Sequence, residues 1–344
     1  MKKLRVALAG LGVIGRAHLA RIAASAECEA CAVADPCASA APEGLPLYRS
    51  LAELLDRERP DGVILATPNA AHVEGALECI AAGVPCLVEK PVADTLADAR
   101  RLAAAVAASG AAVLVGHHRR HSPILQAAAA AIAGGAIGRV VAVMASAVFA
   151  KPARYFDEAP WRSRPGGGPI LINLVHEIDN LRLLIGDIVE VQALASNAVR
   201  GFAVEDTVAI NLRFANGALG SFMLSDCAAS VRSWEQTSGE NKAYDHHGDE
   251  DCYLVAGTRG SLALPTLRLL SAEGEASWFE PLAASRIEAS PADPLERQFR
   301  HFCAMIRGEA PPLMPVAEAL KTLEVTLAVA AAAATRQAPT CFTE

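Results

Sequence analysis

From Leu4 the chain is apolar through "LRVALAG", breaks at a cluster of glycines, spaces its apolar residues three and four apart in "VIGRAHLARIAAS", and turns apolar again in "EACAVAD". A continuous apolar run bounded by turn residues predicts a buried strand, and the wider spacing predicts a helix, so the opening reads strand, helix, strand. The alternation continues through "DGVILAT", "AAHVEGALECIAAG", "PCLVEK", "DTLADARRLAAAVAASG" and "AAVLVGHH". That rhythm belongs to βαβ units around a parallel sheet, and it brings the strand exits at Thr67 and Lys90 to the edge where such sheets bind ligands.

Past "SPILQAAAAAIAGGAIG", a helix closed by Gly134 and Gly135, the pattern changes. "RVVAVMASAVF", "DIVEVQALASN", "EDTVAINLRF", "ALGSFMLSDCA", "DCYLVAGT" and "GSLALP" read as strands, with Asn216-Gly217 as a hairpin turn and one clear helix, "NLVHEIDNLRLLIG", among them. "PLERQFRHFCAMIRG" and "VAEALKTLEVTLAVAAAAATRQ" close the chain as helices, Pro315 starting the second. The predicted fold is α/β: a Rossmann doubly wound parallel sheet over 1–121, then an α+β domain over 122–344 with an open, mostly antiparallel sheet. The last helix is free to pack back on the first domain.

Gly10, Gly12 and Gly15 form the pattern GxGxxG. Lys2, Lys3 and Arg5 before the apolar run also give the charge order of a secretory leader. A leader's apolar region continues as helix, whereas here glycines interrupt it and Arg16 and His18 follow at once. In nucleotide binding the first glycine makes a tight turn, the second lets backbone N–H groups approach a pyrophosphate, and the third lets helix pack on strand. Asp35, twenty residues beyond Gly15, is placed to accept from both ribose hydroxyls and to repel a 2′-phosphate. NAD is therefore expected in preference to NADP, against the alternative of an ordinary strand-turn-helix with Asp35 as a loop residue.

At 344 residues the chain exceeds what one core usually supports, which fits two domains. A formal charge of −7 with no basic tract argues against nucleic acid as a partner, and no uncharged apolar stretch of ~20 residues offers a membrane span. Nine scattered cysteines, an odd number, fit reduced thiols in a cytoplasm. "CEAC", Cys28 to Cys31, has the spacing of redox and zinc sites. It leads into a strand, however, and no second CxxC completes a metal site, so it reads as small apolar residues and no metal is expected.

Together "AGLGVIGRAH", "ATPNAAH", "VEKP" and "GGGPILINLVHEIDNL" resemble, in order and spacing and over nearly the whole chain, the glucose-fructose oxidoreductase, inositol dehydrogenase and MocA (Gfo/Idh/MocA) family. The resemblance implies a Rossmann domain, a C-terminal domain whose open sheet face makes homodimers or homotetramers, and NAD(P)-dependent chemistry on a hydroxyl or carbonyl of a sugar, polyol or cyclic diol. Carried over by position, it puts Gly10, Gly12, Gly15 and the Val13 and Ile14 amides on the diphosphate and Asp35 on the adenosine ribose. Thr67, Asn69 and His72 fall on the cofactor's other flank, and Glu89 and Lys90 near the nicotinamide. Lys90 matches the family's catalytic lysine, Lys90-Pro91 a bond that is cis in some members, Trp161 and Arg162 a pair that approaches the nicotinamide, and His176 the active-site histidine. Where many members carry an aspartate stands Ile172, with Asn173 beside it. Asn173 can hydrogen-bond a substrate hydroxyl but cannot take the aspartate's charge, which leaves the usual proton relay and polyol substrate open.

Oxidising an alcohol requires a base at the hydroxyl while hydride leaves the carbon, and a lysine serves when burial and a nearby positive nicotinamide lower its pKa. Lys90, at the exit of "CLVE" in a chain with six lysines, fits that role, against a solvated loop lysine or a partner for Glu89. His176 follows the flexible "SRPGGGP" loop, with Asp179 and Asn180 at i+3 and i+4 to orient it. In "GHHRRHSP", His118 and Arg119 read as a pocket rim for a hydroxyl-rich or anionic ligand, or else as part of a domain hinge. The polar run 240–253 reads as a solvated loop, a lid, or a loop lent to a neighbouring subunit, with Trp234 and Glu235 nearby to stack on or bond a ring-shaped substrate. The expectation is a cytoplasmic NAD-preferring dehydrogenase acting on a secondary alcohol or ketone of a sugar, polyol, sugar acid or cyclic diol. Lys90 is its base and His176 its supporting acid/base. A glycoside hydrolase or lyase that retains NAD, and a nucleotide-sensing regulator without catalysis, are the alternatives.

Overall fold

Strand and helix alternate through β1 (Leu4–Ala9), α1 (Val13–Ala24), β2 (Cys28–Ala34), β3 (Leu47–Tyr48), α2 (Leu51–Glu58), β4 (Gly62–Leu65), α3 (His72–Ala81), β5 (Cys86–Val88), α4 (Leu96–Ser109) and β6 (Val113–Val115). The computed structural model describes residues 3–289 and 292–335. The six strands are parallel in the order β3-β2-β1-β4-β5-β6. Strand order reverses between β1 and β4, and in doubly wound sheets ligands bind at the carboxyl ends beside that switch. Every residue of β4, β5 and β6 is buried, as expected of parallel strands covered on both faces. Local chemistry sets the helix limits: Ser50 caps α2 through the Glu53 amide, Thr95 caps α4 through the Asp98 amide, and Gly110 ends α4 in the left-handed region at φ +69°.

A second unit, His121–Asp293 with Glu324–Glu344, has its own sheet. Its elements are α5 (Pro123–Ala133), β7 (Val140–Val148), α6 (Ala153–Asp157), α7 (Val175–Ile185), β8 (Ile188–Ser196), β9 (Thr207–Phe214), β10 (Leu219–Ser225), α8 (Trp234–Thr237), β11 (Tyr253–Gly257), β12 (Gly260–Leu264), β13 (Arg268–Ser271) and β14 (Ala283–Arg286). The eight strands follow the order β14-β13-β12-β11-β7-β10-β9-β8, antiparallel throughout except for the parallel pair of β7 and β10. The Asn216-Gly217 turn joins β9 and β10, with Gly217 at φ +86°. One core takes Leu125 and Ile132 from α5, Ile178 and Leu181 from α7, and Val143, Phe222, Val255 and Leu262 from the strands. Other positions on these strands leave Met144, Leu194, Leu219 and Met223 exposed.

The first unit, begun by Met1–Arg120, also takes Pro294–Leu323, residues that the sequence left with the second domain. They carry α9 (Pro294–Ile306) and the start of α10 (Val316–Ala334). Gly62 makes room for α9, since a Cβ there would lie 2.5 Å from Ile306 Cδ1. Cys28 of "CEAC" meets Cys303 of α9 at 3.1 Å between sulfurs, so its neighbour is a distant thiol rather than Cys31. Among the described residues no group of three or more His, Cys, Asp or Glu side chains is placed to hold a metal, and no helix is long and apolar enough to cross a membrane.

Candidate active site

In the first unit the candidate groups sit at the carboxyl ends of the strands. Gly10 turns the chain out of β1 at φ +95°, and a Cβ there would stand 2.4 Å from the Ala66 carbonyl oxygen at the end of β4. A Cβ at Gly15 would stand 2.0 Å from the Gly10 oxygen, so only glycine lets α1 lie this close to the turn. Gly12 differs: nothing lies within 4 Å of where its Cβ would be. It is the N-cap of α1 and supplies no side-chain cap, so the first-turn amides of Val13 and Ile14, on residues 87% and 36% exposed, present donors at the positive helix end. An open backbone cradle between two close packings fits a dinucleotide diphosphate.

Asp35 closes the cradle from β2. Its Oδ2 accepts from the Leu11 amide at 2.8 Å, and its Oδ1 from the Cys37 and Ala38 amides at 2.8 and 3.0 Å. Burial pushes its pKa up, but these amides and the Arg49 charge outweigh it and hold the carboxyl below its ordinary value. The side chain stays part-exposed, with lone pairs left for a ribose. Thr67, at the exit of β4, has a buried hydroxyl with no hydrogen-bond partner among the described residues, and Asn69 is exposed. His72 is 1% exposed, with Nδ1 2.8 Å from the Pro91 carbonyl oxygen and Nε2 2.9 Å from the Thr67 carbonyl oxygen, which sets it between two strand exits. Burial lowers its pKa despite those two acceptors.

Glu89 is 6% exposed and lies 2.8 Å from His18 Nε2. Desolvation raises its pKa, yet the His18 bond and the charges of His18, Lys90 and His118 overcome this and keep the carboxylate ionised. Its Oε2 also accepts from the Lys90 amide at 3.2 Å. Lys90 itself is half-buried, and its bond to Pro91 is cis. A short 3₁₀ turn over His118–His121 follows β6; Arg119 is buried, His118 half-buried, and the division between the units falls inside this turn.

In the second unit Arg162 stacks on the Tyr155 ring at 3.8 Å and donates to the Tyr155 carbonyl at 2.6 Å, while Trp161 is 53% exposed. Glycines let the next loop close up: a Cβ at Gly167 would stand 2.5 Å from the Arg162 oxygen. Glu205 Oε1 receives the Ile170 amide at 2.9 Å, and burial raises this carboxyl's pKa. Residues Ile170–Leu174 form a π-helical turn, a feature often found at functional sites, and α7 continues from it. His176 on α7 is 8% exposed. Asn180 donates to the Tyr253 hydroxyl at 2.9 Å, and that hydroxyl donates to Glu177 Oε2, so part of the polar face of α7 is committed to a buried network.

Hydrophobic patterning did not single out Lys151, Arg200, Glu205 or Asp226. Lys151 Nζ donates to Asn173 Oδ1 at 2.7 Å and lies 3.3 Å from Asp226 Oδ2, whose other oxygen pairs with Arg200 Nε at 2.9 Å. Desolvation lowers the Lys151 pKa to about 8 against the pull of Asp226. The one available signal was a lone lysine directly after an apolar strand. Trp234 corrects an expectation: it is 1% exposed, gives its Nε1 to Glu240 at 3.0 Å and packs at 5.6 Å on Tyr253, so it is core and not a stacking platform. The 240–253 run is tied down by Glu240 accepting from Ser122, by the His247 amide on the Gln236 oxygen at 2.8 Å, and by His246 on the Thr237 oxygen at 3.1 Å.

Residues 4–117 match the family described as "Oxidoreductase family, NAD-binding Rossmann fold", and residues 125–263 match the "GFO/IDH/MocA C-terminal domain". The 1,5-anhydro-D-fructose reductase of Ensifer adhaerens is 31% identical over 295 residues, covering 84% of this chain and 82% of that protein. The WlbA dehydrogenase of Bordetella pertussis, solved in complex with NADH and UDP-GlcNAcA, has a TM-score of 0.73 at 24% identity and covers 96% of this chain and 97% of its own. An oxidoreductase from Agrobacterium radiobacter in complex with NAD+, L-tartaric acid and magnesium has a TM-score of 0.77 at 20% identity and covers 97% of both chains.

Proposed function

The chain belongs to the Gfo/Idh/MocA oxidoreductase family, and we propose that it transfers hydride between NAD and a secondary alcohol or ketone of a sugar, polyol, sugar acid or cyclic diol. The observation that carries this reading is the placement of Lys90. It is a half-buried lysine at a strand exit, beside a buried carboxylate kept ionised by His18, on the sheet edge that holds the glycine cradle. Bound in the cradle, NAD supplies the hydride acceptor.

Lys90 takes the hydroxyl proton and holds the developing alkoxide electrostatically, while the Glu89 and His18 pair fixes the backbone that carries it. In the second unit His176 serves as supporting acid/base and Arg162 and Trp161 contact substrate, and in the first unit His118 is the substrate contact. Asp35 favours NAD over NADP, because its ionised carboxylate bonds ribose hydroxyls and repels a 2′-phosphate. The exposed apolar positions Met144, Leu194, Leu219 and Met223 suit burial against a second copy, as a dimer or tetramer. Among the described residues the eight cysteines are free thiols, which suits a reducing cytoplasm.

Incubating the purified protein with NAD and a panel of polyols, inositols, aldoses, sugar acids and cyclic diols tests the reading by NADH absorbance. The reading expects a signal that Lys90→Met abolishes. NAD bound without reduction across the panel overturns it.

A further inference from the structure

In the substrate half, the side chain beside the missing aspartate has a fixed direction. Asn173 Oδ1 accepts from Lys151 Nζ at 2.7 Å, and an ammonium has no acceptor, so the amide cannot be turned round without setting NH₂ against NH₃⁺. Its Nδ2 therefore points away from Lys151 and makes no hydrogen bond among the described residues, on a half-buried residue three positions before His176. Lys151 is held just as firmly. Its side chain is 9% exposed, its amide donates to the Asp226 oxygen at 2.8 Å, its carbonyl accepts from Arg200 Nη2 at 2.9 Å, and its ammonium lies 4.8 Å over the Tyr155 ring. Both oxygens of Asp226 are consumed, one by Lys151 and one by Arg200.

We propose that Lys151 and Asn173 form a donor arm that selects a substrate bearing a carboxylate, a sugar acid rather than a neutral polyol. The inference rests on the oxidoreductase reading and names its substrate class. An aspartate at this place would accept from a hydroxyl and repel a carboxylate; an amide backed by an ammonium only donates. A bond from that amide to an ionised acceptor is roughly twice as strong as one to a neutral hydroxyl. The charges around Lys151 are Asp226, Arg200, Arg162 and Glu205, so that with the Lys151 ammonium three cations face two carboxylates. Lys151 is the positioning residue and Asn173 the one that touches substrate.

Calorimetric titration of the NAD-saturated protein with D-gluconate and D-glucitol, which differ at the carboxylate, tests this. Gluconate is expected to bind about 10-fold tighter. Asn173→Asp should erase the preference, and Lys151→Met should weaken gluconate about 10-fold while leaving glucitol within about 2-fold. Gluconate affinity should also fall as pH rises through about 8 in the wild type, and this fall should be missing in Lys151→Met. Equal binding of the two ligands, equal losses for both in each variant, or no binding of either overturns the proposal. NADH formation read in parallel separates the two readings. Glucitol oxidised without any preference for gluconate sinks the inference alone, whereas gluconate-selective binding with no NADH from any substrate sinks the oxidoreductase reading.

Discussion

In the first unit the groups assigned to the cofactor are mostly backbone, a turn at Gly10, a close packing at Gly15 and uncapped amides at the start of α1, with one side chain, the Asp35 carboxylate, at a strand exit. In the second unit the chemistry is carried by side chains that converge from residues 151, 173, 200 and 226. Backbone presentation makes a site that any substrate chemistry can share, because it depends on fold geometry. Side-chain convergence makes a site whose polarity a few substitutions can reset. Cofactor class should therefore be robust in this molecule, and substrate class should be tunable.

The largest test of that contrast is Gly10→Ala. With φ at +95° and a Cβ 2.4 Å from the Ala66 oxygen, it should destabilise the first unit by about 3 kcal/mol and abolish NAD binding, measured by thermal denaturation and by fluorescence titration. Lys90→Met should spare the fold and leave NAD affinity within about 3-fold while lowering kcat by about 10³, as removal of a general base does, read by steady-state kinetics.

Lys151 gives a signature on the substrate side. Its folded pKa of about 8 lies below its ordinary 10.5, so between those values the unfolded chain holds a proton that the folded chain has released. Stability should therefore rise with pH across that window, by up to about 3 kcal/mol, in the difference between wild type and Lys151→Met from chemical denaturation. A flat difference would break the claim that this ammonium is held against desolvation. The smallest expected effect is at Asp35: Asp35→Ala should weaken NAD about 10-fold and narrow its advantage over NADP, seen by comparing the two dissociation constants.

The same contrast explains what was legible in the sequence. Glycine spacing and an acidic residue at a strand end are local patterns, so the Rossmann half and its strand exits follow from periodicity and turn chemistry, whereas spacing left Lys90 open between a base and a loop lysine and the family resemblance singled it out. The alternating runs likewise announced the large antiparallel sheet. Strands β3, β13 and β14 and helix α2 were not picked out, since the strands have two to four residues with little burial to impose a pattern. The Lys151, Asn173, Asp226 and Arg200 cluster was invisible because its members lie up to 75 residues apart and meet only when β7, β10 and their loops are in place. Trp234 shows the opposite error: an aromatic in a polar stretch suggested a ligand platform, but the fold uses it as core beside Tyr253.

The central claim, hydride transfer to NAD that depends on Lys90, is tested most directly with a turned-over alcohol carrying deuterium on its carbinol carbon. The account predicts that wild-type protein delivers the deuterium to the reduced nicotinamide, seen by mass spectrometry of the recovered cofactor. Lys90→Met, with NAD still bound, should deliver it about 10³-fold more slowly. Reduced nicotinamide without deuterium, or deuterium delivered equally fast by Lys90→Met, would contradict it.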